Sequence, residues 1–172
     1  MLAEDREVDV PILAHGTAGG AMMVSPYSGI SSHLMAAKLP RMAGADIIND
    51  IVPYGKLPVL KNKYVRVAHV CRAELGNLKG TFPNAVAGVY PGNVAEIMAD
   101  LGPHCILGAG GGIHAHPMGP RAGAIAMRQA IDAALQGVPL EKAAQGQPEL
   151  QAAVETWGIW KKESLQLFAR LR

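Results

Sequence analysis

The sequence predicts an α/β fold built from four βα units, half the number in a closed (β/α)8 barrel. Short apolar stretches alternate along the 172 residues with segments whose apolar residues recur every three or four positions, which is typical of parallel strands followed by helices. A closed barrel typically needs ~250 residues, so the chain is too short for eight units. An open four-stranded sheet leaves two edges whose backbone groups invite pairing with another half or another copy.

The elements follow one another in a regular order. We expect Pro40 to kink the first helix, because proline removes an N–H and its ring clashes with the preceding turn. We also expect Ile125, Met127, Ile131 and Leu135 to form most of one face of the fourth helix. The predicted strands are 10–15, 45–49, 84–88 and 104–107, and the predicted helices are 31–42 capped by Ser31 or Ser32, 64–75, 93–100, 122–135 and an amphipathic helical segment after Pro139 containing Trp157, Trp160, Leu165 and Phe168. This divides the chain into a half barrel, 1–137, and a helical extension, 138–172.

Composition narrows the class of function. An apolar fraction of 49% is ample for a buried core, and a net charge of +2 with 5% aromatic residues lacks the electrostatic footprint of a nucleic-acid binder. Small molecules are therefore the expected partners. Cys71 and Cys105 lie in apolar surroundings and are expected to be core thiols. An acidic N-terminus and the absence of an 18-residue apolar run predict a cytoplasmic protein without a signal peptide or membrane span.

A glycine-rich stretch, 108–119, carries the clearest functional signal. It follows the predicted strand 104–107 and precedes a helix, and it contains Gly110, Gly111 and Gly112 in succession. Consecutive glycines let backbone N–H groups and the positive end of a following helix converge on an anion. The pattern predicts a phosphate-binding loop between strand and helix.

Several motifs together resemble the C-terminal barrel half of the RuBisCO large-chain family, strands five to eight. After the three glycines, the last strand and helix carry His116-Pro117-x-Gly119-x-x-x-Gly123-Ala124-x-Ala126-x-Arg128-x-Ala130-x-x-Ala133. The other landmarks, in the family's order, are Pro11-Ile12-Leu13-Ala14-His15, Lys38-Leu39-x-Arg41-x-Ala43-Gly44-Ala45-Asp46, Gly55-Lys56 and Ala87-Gly88. The resemblance spans about residues 10–157 and implies a TIM-barrel half with extra C-terminal helices.

Departures from the family's pattern indicate the non-carboxylating RuBisCO-like proteins, type IV. In carboxylating members an arginine and a histidine grip a second phosphate, and here Gly16 and Asn49 stand in their places. Neutral donors hold phosphate less strongly than charged ones, so a monophosphate substrate is expected. At the seventh strand, where carboxylases have Ser-Gly-Gly, this chain has Ala87-Gly88-Val89. The lid loop contains Pro53 and lacks the acidic residue that usually follows its lysine. The resemblance then implies enolisation, as an isomerase, enolase or decarboxylase.

The resemblance also implies roles for individual residues. Lys56 is expected to be the mobile electrostatic or proton-transfer group, and His15 a catalytic substrate contact. Backbone N–H groups at Gly88, Gly110 and Gly111 are expected to bind phosphate, because barrels commonly bind it after their last two strands. Asn49 and Ala87 are expected to contact substrate.

Other parts of the family's active site are missing from this chain. The Mg²⁺ that the family implies is held by a carbamylated lysine and two acids on an earlier strand, so this chain is expected to supply no metal ligand. We expect a fragment or half of a split enzyme, inactive alone, which needs the missing N-terminal half or a second copy to close the barrel and belongs to a homo-oligomer.

Alternative functions remain open at this point. The chain could be a phosphometabolite-binding module without catalysis, or a relative of true ribulose-bisphosphate carboxylases. A zinc-dependent TIM-barrel hydrolase using His15, His114 and His116 is less favoured, because no carboxylates that would orient metal-bound histidines are evident. We expect His116 to brace the turn before the last helix. Asp46 and Asp50 could form an acid pair, but cap or loop roles are favoured.

Overall fold

The four strands form one parallel sheet in the order β1-β2-β3-β4, which confirms the predicted α/β class. The computed structural model describes residues 2–5, 7–17, 19–23, 27, 29–55, 57 and 59–161. The strands are β1 Leu13–Ala14, β2 Ile47–Ile51, β3 Phe82–Val86 and β4 Ile106–Leu107. The second strand begins at Ile47, later than predicted, and it also ends later, because parallel pairing continues to the register pair Ile51 and Val86.

The predicted helices are present with shifted ends, and two short helices, Gly20–Met23 and Gly110–His114, were not predicted. The helices are α1 Gly20–Met23, α2 Leu39–Met42, α3 Lys61–Arg72, α4 Val94–Leu101, α5 Gly110–His114, α6 Pro120–Leu135, α7 Leu140–Ala143 and α8 Pro148–Trp157, with 3₁₀ turns at Leu2–Glu4 and Pro91–Asn93 and a π-helix at Leu34–Lys38. Leu165 and Phe168 lie outside the described residues. None of the helices in the described ranges combines the length and apolar character that crossing a membrane requires.

The chain divides into two compact units. The first combines the residues up to Ala87 with His104–Gly108 and contains the whole sheet; the second combines Gly88–Pro103 with the residues from Ala109 onward and contains helices α4 to α8. The predicted boundary at 137/138 stays a prediction.

One face of the sheet in the first unit is buried. Its core consists of Ala37, Ala45, Ile48, Val67 and Cys71, with Ala14, Ala36 and Val70 packed against it. Cys71 is thus a core residue, as predicted, and burial raises the pKa of its thiol. Cys105 is half-buried, with a thiol pKa that burial also raises.

The other face of the sheet is largely open within the described residues. Strand residues alternate between the two faces, so Leu13, Ile47 and Phe82, which are in register, share this face with Ile106. Leu13 is 46% exposed, Phe82 52% and Ile106 36%. This is the face that would point into the centre of a barrel.

The helix before β2 contains a widened turn where the sequence predicted a kink at Pro40. Residues Leu34–Lys38 are π-helical, and the amide of Leu39 donates to the carbonyl of Leu34, five residues back. In a regular α-helix the ring of Pro40 would clash with the carbonyl of Ala36. The π turn relieves that clash, because it shifts the hydrogen-bond register just before the proline.

Arg41 is a buried cation in the first unit, with 3% of its surface exposed. Its guanidinium donates hydrogen bonds to four backbone carbonyls, those of Val70, Ala73, Leu78 and Lys79. Two of these carbonyls lie at the end of α3 and two belong to the loop before β3. Arg41 therefore ties α2 to the C-terminal end of α3.

Helix α6 buries a face of small residues together with Met127. Of the predicted face, Met127 is buried as expected and Ile131 is half-buried, but the placement of Ile125 and Leu135 is wrong. Ile125 is 37% and Leu135 55% exposed. A Cβ at Gly123 would lie 2.2 Å from the carbonyl oxygen of Ile113, a contact that only glycine permits. The helix therefore approaches α5 closely, and the buried residues are Ala122, Gly123, Ala126, Met127, Ala130 and Ala133.

Candidate functional site

His15 directly follows β1, at the carboxyl end of the strand as the sequence predicted. Its imidazole is exposed, and its Nδ1 lies 2.6 Å from the hydroxyl oxygen of Thr17. That contact fixes one ring nitrogen and leaves Nε2 as the atom that a substrate could meet. Its role in substrate binding or catalysis stays a prediction.

Asn49 lies within β2 and forms an amide pair with Asn84 of β3. The two residues are in register, and Nδ2 of Asn84 donates to Oδ1 of Asn49 at 2.8 Å. Asn84 is only 7% exposed. The sequence analysis missed Asn84; the available signal was an amide in the middle of a short strand, on the same face as Asn49.

Ala87 ends the first unit in a backbone conformation that alanine rarely adopts. Its φ is 68°, and it is the one non-glycine residue with positive φ in the described part of the chain. Left-handed backbone at a non-glycine residue is strained and tends to occur at functional sites. The substrate contact predicted for Ala87 stays a prediction.

The loop that follows, in the second unit, is held by Asn93, which the sequence placed only as a helix start. Asn93 is fully buried; its Nδ2 donates to the carbonyl of Gly88 at 2.8 Å, and its Oδ1 accepts from the amide of Tyr90 at 3.0 Å. Gly88 has a φ of 135°, which favours glycine. An asparagine between Pro-Gly and a helix was the signal that could have identified this loop clamp.

The three consecutive glycines begin helix α5, so the loop predicted for this stretch is wrong. Gly112 packs against the segment after β3: a Cβ there would lie 2.6 Å from the carbonyl oxygen of Val89 and 2.9 Å from Cα of Tyr90. By contrast, a Cβ at Gly110 or Gly111 would meet no atom within 4 Å. The side of this turn at Gly112 is therefore tightly packed, and the side at Gly110 and Gly111 is open.

The amides of this first turn have no acceptor in the helix. The first helical bond runs from the amide of Ile113 to the carbonyl of Ala109, at 3.0 Å. The N–H groups of Gly110, Gly111 and Gly112 precede it, and such groups at a helix start are satisfied by side chains, water or a ligand. The open side of α5 therefore offers N–H donors to an anion.

His116 braces the turn before α6, as predicted. Its Nδ1 accepts from the amide of Met118 at 3.1 Å, its Nε2 lies 3.0 Å from the carbonyl oxygen of Glu149, and its ring meets that of Trp157 edge-on at 5.9 Å. Nδ1 must be unprotonated to accept and Nε2 must carry a proton to donate, so this is the neutral Nε2–H tautomer. With both nitrogens engaged, His116 is not available as a zinc ligand.

Asp46 and Asp50 have different environments and do not act as a pair. Asp46 lies in the bend before β2, as the predicted loop role requires, and its Oδ2 accepts a hydrogen bond from the amide of Ile12 at 2.9 Å, so it ties two distant segments together and caps no helix. Asp50 lies inside β2, so its predicted loop position is wrong; it is 6% exposed, and its Oδ2 has no hydrogen-bond partner among the described residues. Burial raises the pKa of Asp50 to about 8, against a smaller opposite effect of the backbone hydrogen bond at Ile51.

A metal ion finds no ligand set in the described ranges. His, Cys, Asp and Glu residues there form no group of three that could hold one. Mg²⁺ needs several oxygen ligands, and the buried carboxyl of Asp50 belongs to no such group. Lys56, the expected lid-loop lysine, lies outside the described residues.

Comparison with known proteins finds relatives that are described as RuBisCO-like proteins or as enolases. A "Ribulose bisphosphate carboxylase-like protein" of Archaeoglobus fulgidus is 51% identical over 136 residues, covering 79% of this chain and 31% of that protein. A "2,3-diketo-5-methylthiopentyl-1-phosphate enolase" of Exiguobacterium sibiricum is 42% identical over 160 residues, covering 93% and 40%. The crystal structure of a rubisco-like protein (MtnW) from Alicyclobacillus acidocaldarius superposes with a TM-score of 0.85 at 44% identity, covering 91% of this chain and 39% of that one.

These alignments agree with the resemblance found in the sequence motifs. The chain spans 31–40% of the length of the two relatives described above. The family model for the "Ribulose bisphosphate carboxylase large chain, catalytic domain" matches residues 3–157. The chain therefore belongs to the RuBisCO large-chain family, among its RuBisCO-like members.

Proposed function

We propose that the chain is the C-terminal part of a RuBisCO-like enolase that acts on a sugar-type monophosphate. The observation that carries the proposal is the open first turn of α5, where the amides of Gly110 and Gly111 have no acceptor in the helix and a side chain would meet no neighbour. The enolase of E. sibiricum supports the reaction type, because this chain matches it over 93% of its own length. A diketo monophosphate of the kind named for that relative is favoured over isomerisation or decarboxylation substrates.

The phosphate is assigned to the second unit. The amides of Gly110 and Gly111, which have no acceptor in the helix, donate to its oxygens. Gly88 belongs to the loop that Asn93 clamps, and this loop packs against α5 at Gly112. The N–H groups of one loop and one helical turn are thus held by packing before any ligand arrives.

Four residues are proposed for catalysis and for substrate contact. Enolisation removes a proton beside a carbonyl and leaves negative charge on its oxygen, so it needs a proton acceptor and a fixed positive or N–H group. Lys56 is proposed for the electrostatic or proton-transfer role and His15 for catalytic contact with the substrate. Asn49 and Ala87 are proposed to contact the substrate.

The chain alone is proposed to bind phosphate without turnover. Mg²⁺ ligands are proposed to come from polypeptide outside this chain, as the resemblance to the family implies. The open sheet face, with Phe82 half exposed, and the two outer edges of the described four-stranded sheet favour completion by an N-terminal half or a second copy, within a homo-oligomer. The helical segment from residue 138 is proposed as an extension of the half barrel.

A charge placed in the open turn tests the phosphate site. Gly111→Asp puts a carboxylate where the phosphate would sit; since acids favour a helix start, the free energy of unfolding should not fall. Inorganic phosphate, titrated while the backbone amides are followed by NMR, should shift the signals of Gly110 and Gly111, and the variant should abolish that response. Ala95→Asp is the matched control: Ala95 is exposed and is also the second residue of its helix, α4.

The reaction is tested in a chimera. This chain replaces the matching segment of the E. sibiricum enolase, and turnover of 2,3-diketo-5-methylthiopentyl-1-phosphate is measured with Mg²⁺ for the chimera and for the chain alone. Turnover by the chimera, lost in Lys56→Ala, is expected, with none by the chain alone. A chimera that binds phosphate but never turns over would replace the enolase proposal with that of a phosphometabolite-binding module.

A further inference from the structure

The hydrogen-bonded side chains of Asn49 and Asn84, on the open face of the sheet, indicate a role for Asn84. We propose that Asn84 is a positioning residue that fixes the side-chain amide of Asn49 with its N–H2 group outward, so that the ligand group bound over β2 is an oxygen acceptor. This rests on the proposed function, in which Asn49 contacts substrate. Both residues belong to the first unit.

The hydrogen bond between the two amides sets the direction. Nδ2 of Asn84 donates to Oδ1 of Asn49 at 2.8 Å. A planar amide holds its oxygen and nitrogen on diverging bonds, so engaging Oδ1 on the β3 side leaves Nδ2 of Asn49 on the side away from Asn84. Asn49 then offers two N–H donors to a ligand.

Packing holds Asn84 itself in place. The residue is only 7% exposed, and its Oδ1 lies 3.3 Å from the position that a Cβ of Gly108 would occupy, with Cγ1 of Val86 at 2.9 Å from the same position. Gly108 thus leaves just enough room for the carbonyl end of Asn84. With its oxygen facing this glycine, Asn84 turns its N–H2 group toward β2.

The chemistry of the ligand group follows from the donors. N–H groups bind the lone pairs of a carbonyl or phosphate oxygen, whereas an ammonium group would need an acceptor. Oδ1 of Asn49 is directed toward Asn84, and Oδ1 of Asn84 is buried beside Gly108, so neither oxygen is presented to a ligand. An enolisable substrate has such a carbonyl beside the carbon that loses its proton. The pair would therefore select for a carbonyl or phosphate oxygen above β2 and against a cationic group.

The test reads the two amides directly. In the ¹⁵N-labelled chain, the side-chain N–H2 signals of Asn49 and Asn84 are assigned from their loss in single alanine variants. We expect the N–H2 of Asn84 to exchange with D₂O at least about tenfold more slowly than that of Asn49, because it is buried and bonded. Slower exchange at Asn49 would overturn the proposal.

Two substitutions separate positioning from a merely structural role. Asn84→Asp can donate to Asn49 only while its carboxyl is protonated; once ionised it accepts, so Asn49 must turn its N–H2 inward. Exchange at Asn49 should then slow about tenfold, relative to Asn84→Leu at the same pH, as rising pH ionises the carboxyl. An Asn49 exchange rate that is the same in both variants at every pH would show that Asn84 only fills space.

The ligand class is tested with simple ions. Inorganic phosphate should shift the Asn49 N–H2 signals and methylammonium should not; a response to methylammonium, or to neither ion, would overturn the assignment of an acceptor. If phosphate fails to shift the signals of Gly110 and Gly111 in the unmodified chain, the proposed function is refuted. Slow exchange at Asn84 relative to Asn49 would still support the orientation of Asn49 in that case. The two proposals therefore fail on different signals.

Discussion

The buried carboxyl of Asp50 should make the stability of the protein depend on pH. Its pKa of about 8 lies far above the value of 3.8 expected in the unfolded chain, because burial penalises the ionised form. Between these values the folded state keeps a proton that the unfolded state has lost. The stabilisation is therefore complete below about pH 4 and is lost as pH rises toward about 8.

The expected magnitude follows from linkage. Each pH unit in this window lowers the free energy of unfolding by up to about 1.4 kcal/mol, so the loss between about pH 5 and 7 approaches about 3 kcal/mol. An asparagine side chain is neutral at every pH, so Asp50→Asn removes this slope while keeping the size of the side chain. As pH rises, the free energy of unfolding of Asp50→Asn should therefore increase relative to that of the unmodified chain.

The measurement is urea unfolding followed by circular dichroism at several pH values from about 5 to 8 and at constant ionic strength. Asp9→Asn makes the same chemical change at an exposed position and is the control. The free energy of unfolding of Asp9→Asn should change with pH in the same way as that of the unmodified chain. Parallel curves for Asp50→Asn as well, within about 0.5 kcal/mol across the range, would refute the conclusion that Asp50 is protonated in the folded state.

Two further substitutions test the packing around the site. Gly112→Ala forces a Cβ against backbone atoms and should cost about 1–3 kcal/mol in urea unfolding, whereas Gly110→Ala meets open space and should be neutral or stabilise by up to about 1 kcal/mol; equal effects would contradict the packing described for α5. Arg41→Lys loses the fork of donors that reaches four carbonyls and should cost at least about 2 kcal/mol, and a loss below about 0.5 kcal/mol would show that water replaces those bonds.

The order of strands and helices could be predicted because parallel βα units repeat a simple apolar pattern. Strand ends could not, since the register of β2 with β3 decides where pairing stops. The buried face of α6 was also out of reach. Apolar residues such as Ile125 suggested a contact face, but the close approach at Gly123 admits only small side chains, and that approach depends on α5 rather than on the sequence of α6.

The same limit applies to the glycine run. Three glycines predict backbone freedom, and freedom is needed equally by an anion-binding loop and by a helix packed against a neighbouring backbone. The structure separates the two uses within three residues: Gly112 is required by its contact with the segment after β3, while a side chain at Gly110 or Gly111 would meet no neighbour. Packing therefore explains the glycine at 112, and a ligand-binding role remains as the reason for glycine at Gly110 and Gly111 only.

Asn49 and Asp50 show most clearly what a sequence leaves undetermined. They are adjacent polar residues in an apolar strand, and from the sequence alone Asn49 was expected to contact substrate and Asp50 to lie in a loop. Because strand residues alternate, Asn49 shares the open face with Asn84 while Asp50 points into the helical layer and loses its charge there. Which of the two is available to a ligand thus depends on which face the helices cover. That coverage is a property of the packed sheet, and it makes Asn49 a candidate for binding and Asp50 a determinant of stability.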